Sequence, residues 1–421
     1  MPLLTDLATG LIHLAVRAAA PFNPKARQWV DGRKGLWERL EAKREALQGC
    51  LWMHCASVGE FEQGRPVLEA IKRERPDLPV LLTFFSPSGY EARKAEPLAT
   101  HVDYLPPDGA ANAKRLLRLL RPGVVLWVKY ELWHHYLEAL RAARIPTFLI
   151  SAYFWPAMPY FRWYGGAWRR MLGCFTHHFV QDERSGQLLR DIGLENVTVS
   201  GDTRFDRVLA IVDAKEPLGA GEAFRAAAPS PVLVCGSTWP ADEERLLKAL
   251  AAQRVEARLL VAPHELHAQH LAAVETAFPK PLVLWSELEN SLVAGAGVPP
   301  GIRTVLVDRM GLLARIYRYG DIAYVGGGFG DGIHSLLEPA AWGCPVIFGP
   351  LHTKFPEAQG LIDAGGGFEV KNAEELRAVL DRSLGDPAAR VKASDAARRY
   401  VQERAGATNR IVSTISARLG A

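Results

Sequence analysis

Twice along its 421 residues this chain runs through a series of short apolar segments separated by amphipathic stretches. The first series comprises 51–56 (LWMHCA), 80–85 (VLLTFF), 101–105, 124–129 (VVLWVK), 147–152 (TFLISA), 177–181 and 197–200. Stretches of helical period, such as 60–75 and 111–121, lie between them. The second series comprises 231–236 (PVLVCG), 258–262 (RLLVA), 282–285, 304–307 (TVLV), 321–326 (DIAYVG) and 345–348 (PVIF). Strands that alternate with helices form βαβ units, whose strands pair in parallel. Between the two series, 209–230 is rich in Ala, Gly, Pro and charge, holds no convincing strand and reads as a linker. The expected architecture is α/β, with two doubly wound domains, 26–208 and 231–400, facing each other across a cleft. A helix is expected to close the chain at 401–421.

The composition permits this: 48% hydrophobic and 23% charged residues belong to a folded chain able to bury two cores. The formal charge of +4 suits an anionic surface or ligand. No basic run approaches a nucleic-acid arm, so no nucleic-acid partner is expected. The five cysteines (Cys50, Cys55, Cys174, Cys235 and Cys344) are scattered and lack CxxC pairs. That argues against a disulfide framework and a structural zinc site, and for a reducing compartment.

Within residues 1–25, Leu4, Leu7, Leu11, Leu14, Ala15 and Ala18 form an apolar stripe at helical spacing, interrupted by His13 and Arg17. The run is shorter than the ~20 residues that span a bilayer. It reads equally as an interfacial membrane helix or as a helix docked on the protein. A second stretch, Ala139 to Gln181, has no Asp or Glu but contains Arg141, Arg144, Arg162, Arg169 and Arg170. Trp155, Tyr160, Phe161, Trp163, Tyr164 and Trp168 cluster there too. Aromatic rings with arginines suit an anionic membrane surface, although such clusters also occur in ordinary cores.

The densest local signal is 322–350, IAYVGGGFGDGIHSLLEPAAWGCPVIFGP. A strand ends in Gly326, Gly327 and Gly328, and Gly330 and Gly332 then lead to a helix expected from about His334. Glycines let a backbone approach a ligand closely, and a helix N-terminus offers unpaired N–H groups to an anion. Glu338, in the helix, is placed to accept hydrogen bonds from ribose hydroxyls. The alternative is a tight turn without a ligand, but five glycines in seven residues exceed what a turn needs. The dinucleotide fingerprint fails, because Asp331 stands where its third glycine would be.

Other strand ends carry polar groups as well. Ser57, Gly59 and Glu60 follow the first strand, where ligands of α/β sheets bind. Glu60 there is either a general base or a helix N-terminal residue favoured by the dipole. Ser86, Ser88 and Gly89 follow the second strand, and Lys129, Tyr130 and Glu131 the fourth. In the second half, Ser237 and Thr238 follow one strand, and Pro263 and His264 another. His264, His267 and His270 lack the HExxH spacing, since Ala268 occupies the second ligand position, and read as a solvated helix face. No metal is expected.

Taken in order, SVGE at 57–60, SPSGYE at 86–91, KYELW at 129–133, GDTRFDRV at 201–208, CGST at 235–238, APHE at 262–265 and the glycine-rich segment carry a resemblance. The chain resembles the 3-deoxy-D-manno-octulosonic acid (Kdo) transferases over nearly its whole length. The resemblance implies a GT-B fold of two Rossmann-like domains, the first binding acceptor and the second binding donor. It implies CMP-Kdo as donor, a lipid A precursor (lipid IV-A) as acceptor, and a place at the cytoplasmic face of the bacterial inner membrane. It also implies an inverting displacement without metal or other cofactor. Glu60 matches the family's catalytic base. The implied donor-binding residues are Ser237, Thr238, Pro263, His264, Gly327, Gly328, Gly330, Gly332, His334 and Glu338. Those implied on the acceptor side are Ser57, Gly59, Ser86, Ser88, Gly89, Lys129, Glu131 and Arg204. Many family members have Asn where Ser335 stands and Arg near the place of His264. The competing expectations are a GT-B enzyme using a UDP-sugar and a sugar- or lipid-binding relative without turnover.

Overall fold

The computed structural model describes residues 10–11, 14–129 and 131–419; Leu4, Leu7, His13 and Tyr130 lie outside them. The chain forms two compact units, Met1–Arg207 with Ala405–Ala421, and Val208–Arg404.

The first unit is built on β1 (Leu51–Cys55), β2 (Val80–Phe84), β3 (His101–Tyr104), β4 (Val124–Val128), β5 (Thr147–Ala152), β6 (His177–Val180) and β7 (Val197–Val199). They form one sheet in the order β3-β2-β1-β4-β5-β6-β7. Strand β1 pairs in parallel with both β2 and β4, Leu51 lying beside Val80 on one side and Val124 on the other. The apolar runs are unbroken because both faces are covered. Leu51, Met53 and Cys55 belong to one buried cluster, and Trp52 to the opposite one. Trp52 meets Trp127 and Tyr136 edge-on, with ring centroids at 5.7 and 5.8 Å.

The final helix, Ala407–Leu419, completes this unit rather than the second. Ile411, Val412 and Ile415 join the cluster that contains Phe61, Val67, Leu68 and Phe148. Its start is held by Asp206, whose carboxylate accepts from the Gly406 and Thr408 backbone N–H groups and from the Thr408 hydroxyl at 2.5, 2.6 and 2.8 Å.

The second unit repeats the plan with β8 (Val232–Thr238), β9 (Arg258–Pro263), β10 (Leu282–Leu284), β11 (Thr304–Leu306), β12 (Ile322–Val325), β13 (Val346–Phe348) and β14 (Gly367–Glu369). Their order is β10-β11-β9-β8-β12-β13-β14, again parallel. Strand β14 escapes a reading of the sequence because it is three residues long, at the sheet edge and preceded by glycines. Residues 209–230 hold the end of the helix Thr203–Ala214 and the helix Gly219–Ala226. The helix after the glycine turn starts at Leu337, not near His334; residues 333–336 remain irregular. All five cysteines are buried and free of disulfides.

Replacing Ile415, which is fully buried, with Ala should cost about 2–5 kcal/mol of first-unit stability in a urea titration. A loss below about 0.5 kcal/mol would mean that the closing helix does not share the core.

Candidate active site

In a parallel sheet every strand ends on the same edge, so the loops after β1, β2 and β4 gather at one rim of the first unit. The helix Val58–Glu74 follows β1, with Ser57 as its N-cap and Gly59 in its first turn. Ser57 Oγ accepts from the Glu60 N–H at 3.4 Å. Glu60 Oε2 reaches back to the Ala56 N–H at 2.5 Å. The side chain is only 8% exposed, yet Oε1 has no hydrogen-bond partner among the described residues. Glu60 thus stands in the first turn of its helix, where the dipole favours a carboxylate, and still presents one oxygen. Burial raises its pKa, while the Ala56 N–H and the Lys129 charge act the other way.

Lys129 takes a left-handed backbone, φ 64°, as it leaves β4. Such strain in a non-glycine residue persists only where surrounding structure enforces it. Glu131 follows, its carbonyl accepting from Trp127 Nε1 at 2.5 Å. Its Oε2 is buried and has no hydrogen-bond partner among the described residues. Burial first and the Glu60 charge second push the Glu131 carboxyl up to about 7. The two carboxyls thus resist ionising together, which separates their protonation states.

The other residues of the first unit that the resemblance singles out are more committed. Ser86 Oγ caps the helix Pro87–Arg93 by accepting from the Gly89 N–H at 3.1 Å, and Ser88 Oγ lies 3.4 Å from Ser86 Oγ. Gly89 has no room for a side chain: a Cβ there would lie 2.6 Å from the Phe84 ring. Arg204 pairs with Asp202, Nε to Oδ2 at 2.8 Å.

In the second unit the glycine segment folds back on itself. Gly330 and Gly332 donate to Gly327 O at 3.0 and 3.1 Å, and His334 donates its backbone N–H to Gly326 O at 3.2 Å. Gly327, at φ 93°, donates to Asp242 Oδ2 at 2.8 Å. Gly328 passes so close to Gly349 that a Cβ would lie 2.6 Å from its Cα. Several N–H groups expected to face an anion are therefore used within the turn. Asp242, itself buried, also accepts from the Trp239 N–H at 3.0 Å and the Tyr324 hydroxyl at 2.7 Å.

Thr238 Oγ1 is likewise engaged, donating to Glu243 Oε1 at 2.9 Å, and the residue is fully buried. Ser237 has a left-handed backbone, φ 52°. Pro263 lies beside Thr238 in the sheet, and the His264 N–H donates to Thr238 O at 2.9 Å. His264 stacks on both Trp239 and His334, with ring centroids 4.5 and 4.4 Å apart. Glu338 is half-buried in the first turn of the helix Leu337–Trp342.

The histidines do not form a solvated helix face. His264 precedes the helix Ala268–Ala277, and His267 caps it, Nδ1 accepting from the His270 N–H at 3.1 Å. His270 is buried, with Nε2 3.0 Å from Glu243 Oε2. Glu265, His267 and His270 do bring ligand-type atoms within 4.8 Å of one another. A metal at His267 Nε2 would require a proton on Nδ1, against the N–H that Nδ1 caps.

Of the groups that shape the site, Trp239, Asp242, Glu243 and Tyr324 went unread in the sequence. The signal was present in WPADEE, where Pro240 and Asp242 stand at the first and third positions of a helix.

Because the Glu131 pKa is raised in the folded state, its contribution to stability is full below the ordinary carboxylate range and is lost as pH rises through about 7. Glu131→Gln should therefore raise Tm relative to the parent at pH 8, and the gap should narrow towards pH 5. A gap independent of pH would contradict the raised value.

A family model described as 3-Deoxy-D-manno-octulosonic-acid transferase (kdotransferase) matches residues 33–207. The 3-deoxy-D-manno-octulosonic acid transferase of Bordetella pertussis is 29% identical over 98% of this chain and 100% of its own length. That of Aquifex aeolicus is 29% identical over 81% of this chain and 88% of its own. Among solved structures, UDP-GlcNAc 2-epimerase from Neisseria meningitidis superposes with TM-score 0.60 at 15% identity, covering 87% of this chain and 99% of that one. MurG from Acinetobacter baumannii does so with TM-score 0.55 at 15% identity, over 87% and 99%. These two likenesses concern the fold, which is of the GT-B type. Relatives named as Kdo transferases match along nearly the whole chain and the kdotransferase domain lies in its first unit; the protein is a glycosyltransferase similar to the Kdo transferases.

Proposed function

We propose that the protein transfers Kdo from CMP-Kdo to a lipid A precursor of the lipid IV-A type, with inversion and without a metal, and that Glu60 is the general base. The observation that carries this reading is the Glu60 carboxylate, buried at the end of β1 with Oε2 held by Ala56 and Oε1 unpartnered among the described residues. One oxygen fixes the group and the other is left to take a proton. The acceptor hydroxyl oxygen attacks the anomeric carbon as the bond to the CMP phosphate breaks. The hydroxyl proton passes to Glu60, and CMP leaves with the bonding pair.

CMP-Kdo carries one phosphate and one carboxylate, charges that protein N–H groups and imidazoles can meet without a divalent ion. The Thr238 hydroxyl proton is committed to Glu243, so Thr238 supports such a site by holding the end of β8 rather than by donating to the ligand. Ser237, His264, His334 and Glu338 are the side chains assigned to the donor. On the acceptor side, Glu131 in its protonated form spares Glu60 a neighbouring negative charge and supplies a hydrogen-bond donor.

Transfer from freshly generated CMP-Kdo to a tetraacyl lipid A precursor should be unchanged by EDTA and fall at least about a hundredfold in Glu60→Gln. Transfer surviving the substitution would keep the family and remove Glu60 as base. Transfer only from a UDP-sugar would replace the donor.

The same reading places the protein peripherally, at the cytoplasmic face of the bacterial inner membrane. No helix among the described residues is long and apolar enough to cross a membrane. The first unit exposes Leu11, Leu14 and Phe22, at 61%, 66% and 88%, and Trp163 and Tyr164, at 93% and 51%. Tyr160, by contrast, is buried, and Phe161 and Trp168 pack against the core, so the aromatic stretch divides between both readings weighed for it. Trp163→Ala with Tyr164→Ala should reduce co-sedimentation with anionic vesicles several-fold while Tm stays constant. Equal pelleting of variant and parent would exclude these rings from the contact.

A further inference from the structure

Three rings of the second unit meet at the ends of three strands. Trp239 follows β8, His264 follows β9, and His334 stands in the glycine turn after β12. His264 stacks on Trp239 at 4.5 Å and on His334 at 4.4 Å, with interplanar angles of 23° and 20°. Trp239 Nε1 lies 3.2 Å from His334 Nε2. Rings on opposite faces of His264 would be separated by two stacking distances, which a 3.2 Å contact forbids. Trp239 and His334 therefore lie edge to edge on the same face of His264, joined by an N–H···N hydrogen bond.

That bond has one chemical sense. An indole nitrogen can only donate, so His334 Nε2 must accept and its proton must sit on Nδ1. A doubly protonated His334 would set one N–H against another. Burial and His264 lower the His334 pKa, with Asp242 opposing, in keeping with a neutral ring. The contact is fixed from below: Asp242 accepts from the backbone N–H of Trp239 and from that of Gly327, tying the indole-bearing segment to the turn that carries His334.

We infer that Trp239 is a positioning residue: its indole N–H holds His334 as the neutral Nδ1–H tautomer, so that His334 meets the bound nucleotide as a hydrogen-bond donor through Nδ1 rather than as a cation. The ligand chemistry is an acceptor oxygen of the nucleotide portion of the donor. This inference rests on the donor-site reading above, but its first half is measurable without any ligand.

The experiment uses full-length protein carrying ¹⁵N-histidine, with His334 assigned by its loss in His334→Asn. Near neutral pH the parent should show His334 with Nδ1 protonated and Nε2 bare. Trp239→Phe keeps an aromatic ring on His264 but removes the donor, and should convert His334 to a mixture of tautomers. In parallel, CMP binding is titrated by calorimetry. Trp239→Phe should weaken it about five- to tenfold, the loss of one well-placed hydrogen bond. His334→Asn, whose amide nitrogen stands near the Nδ1 position, should bind nearly as the parent does, and His334→Gln should not. In His334→Asn, adding Trp239→Phe should cost little more, because an amide has no tautomer to set. A parent with Nε2 protonated, or a tautomer unmoved in Trp239→Phe, overturns the inference. Failure of the parent to bind CMP while its spectrum shows the expected tautomer overturns the donor-site reading and leaves the Trp239–His334 bond standing.

Discussion

Everything functional in this protein depends on parallel strand pairing. A parallel strand cannot be followed by a hairpin; the chain must cross over and start again from the same end of the sheet. Each crossover delivers the next loop to the same rim. Because β1 pairs with both β2 and β4, the loops carrying Glu60, Ser86, Lys129 and Glu131 emerge from three adjacent strands. Likewise β8 pairs with β9 and β12, which brings together Trp239, His264 and His334. Residues as much as 95 positions apart are gathered this way at hydrogen-bond distance.

What the rims do with those loops differs between the units. At the first, the side chains are left electrostatically unsettled: two carboxyls, one held by a backbone N–H and one buried without a hydrogen bond to its Oε2. At the second, buried carboxylates settle almost everything. Asp242 fixes Trp239, Tyr324 and Gly327, and Glu243 fixes Thr238 and His270. Such satisfied networks make backbone positions rigid. The first arrangement suits moving a proton, and the second suits holding a ligand still.

The strands were legible because burial on both faces writes them as unbroken apolar runs, and runs such as VVLWV or VLVCG have no other plausible use. Strand β14 was not, since GFE at a sheet edge carries too little apolar surface to stand out. The rim positions were legible as residues but not as partnerships. SVGE placed Glu60, yet nothing in the sequence said that Ala56 would hold one of its oxygens. The glycine run promised N–H groups for an anion, but Gly327 O takes two of them and Asp242 a third. His270 looked like one of three evenly spaced surface histidines and turned inward to Glu243. These pairings are set by three-dimensional contact between segments far apart in sequence, where a local pattern carries no information.

The return of the last helix to the first unit has a consequence for biosynthesis. Ile411, Val412 and Ile415 belong to the core that begins with Leu51. A chain emerging from the ribosome completes the whole of the second unit before these residues appear. During that interval the first unit has its sheet but not its last covering, and the apolar surface around Phe61 and Val67 lies open. The unit translated first is therefore the one finished last.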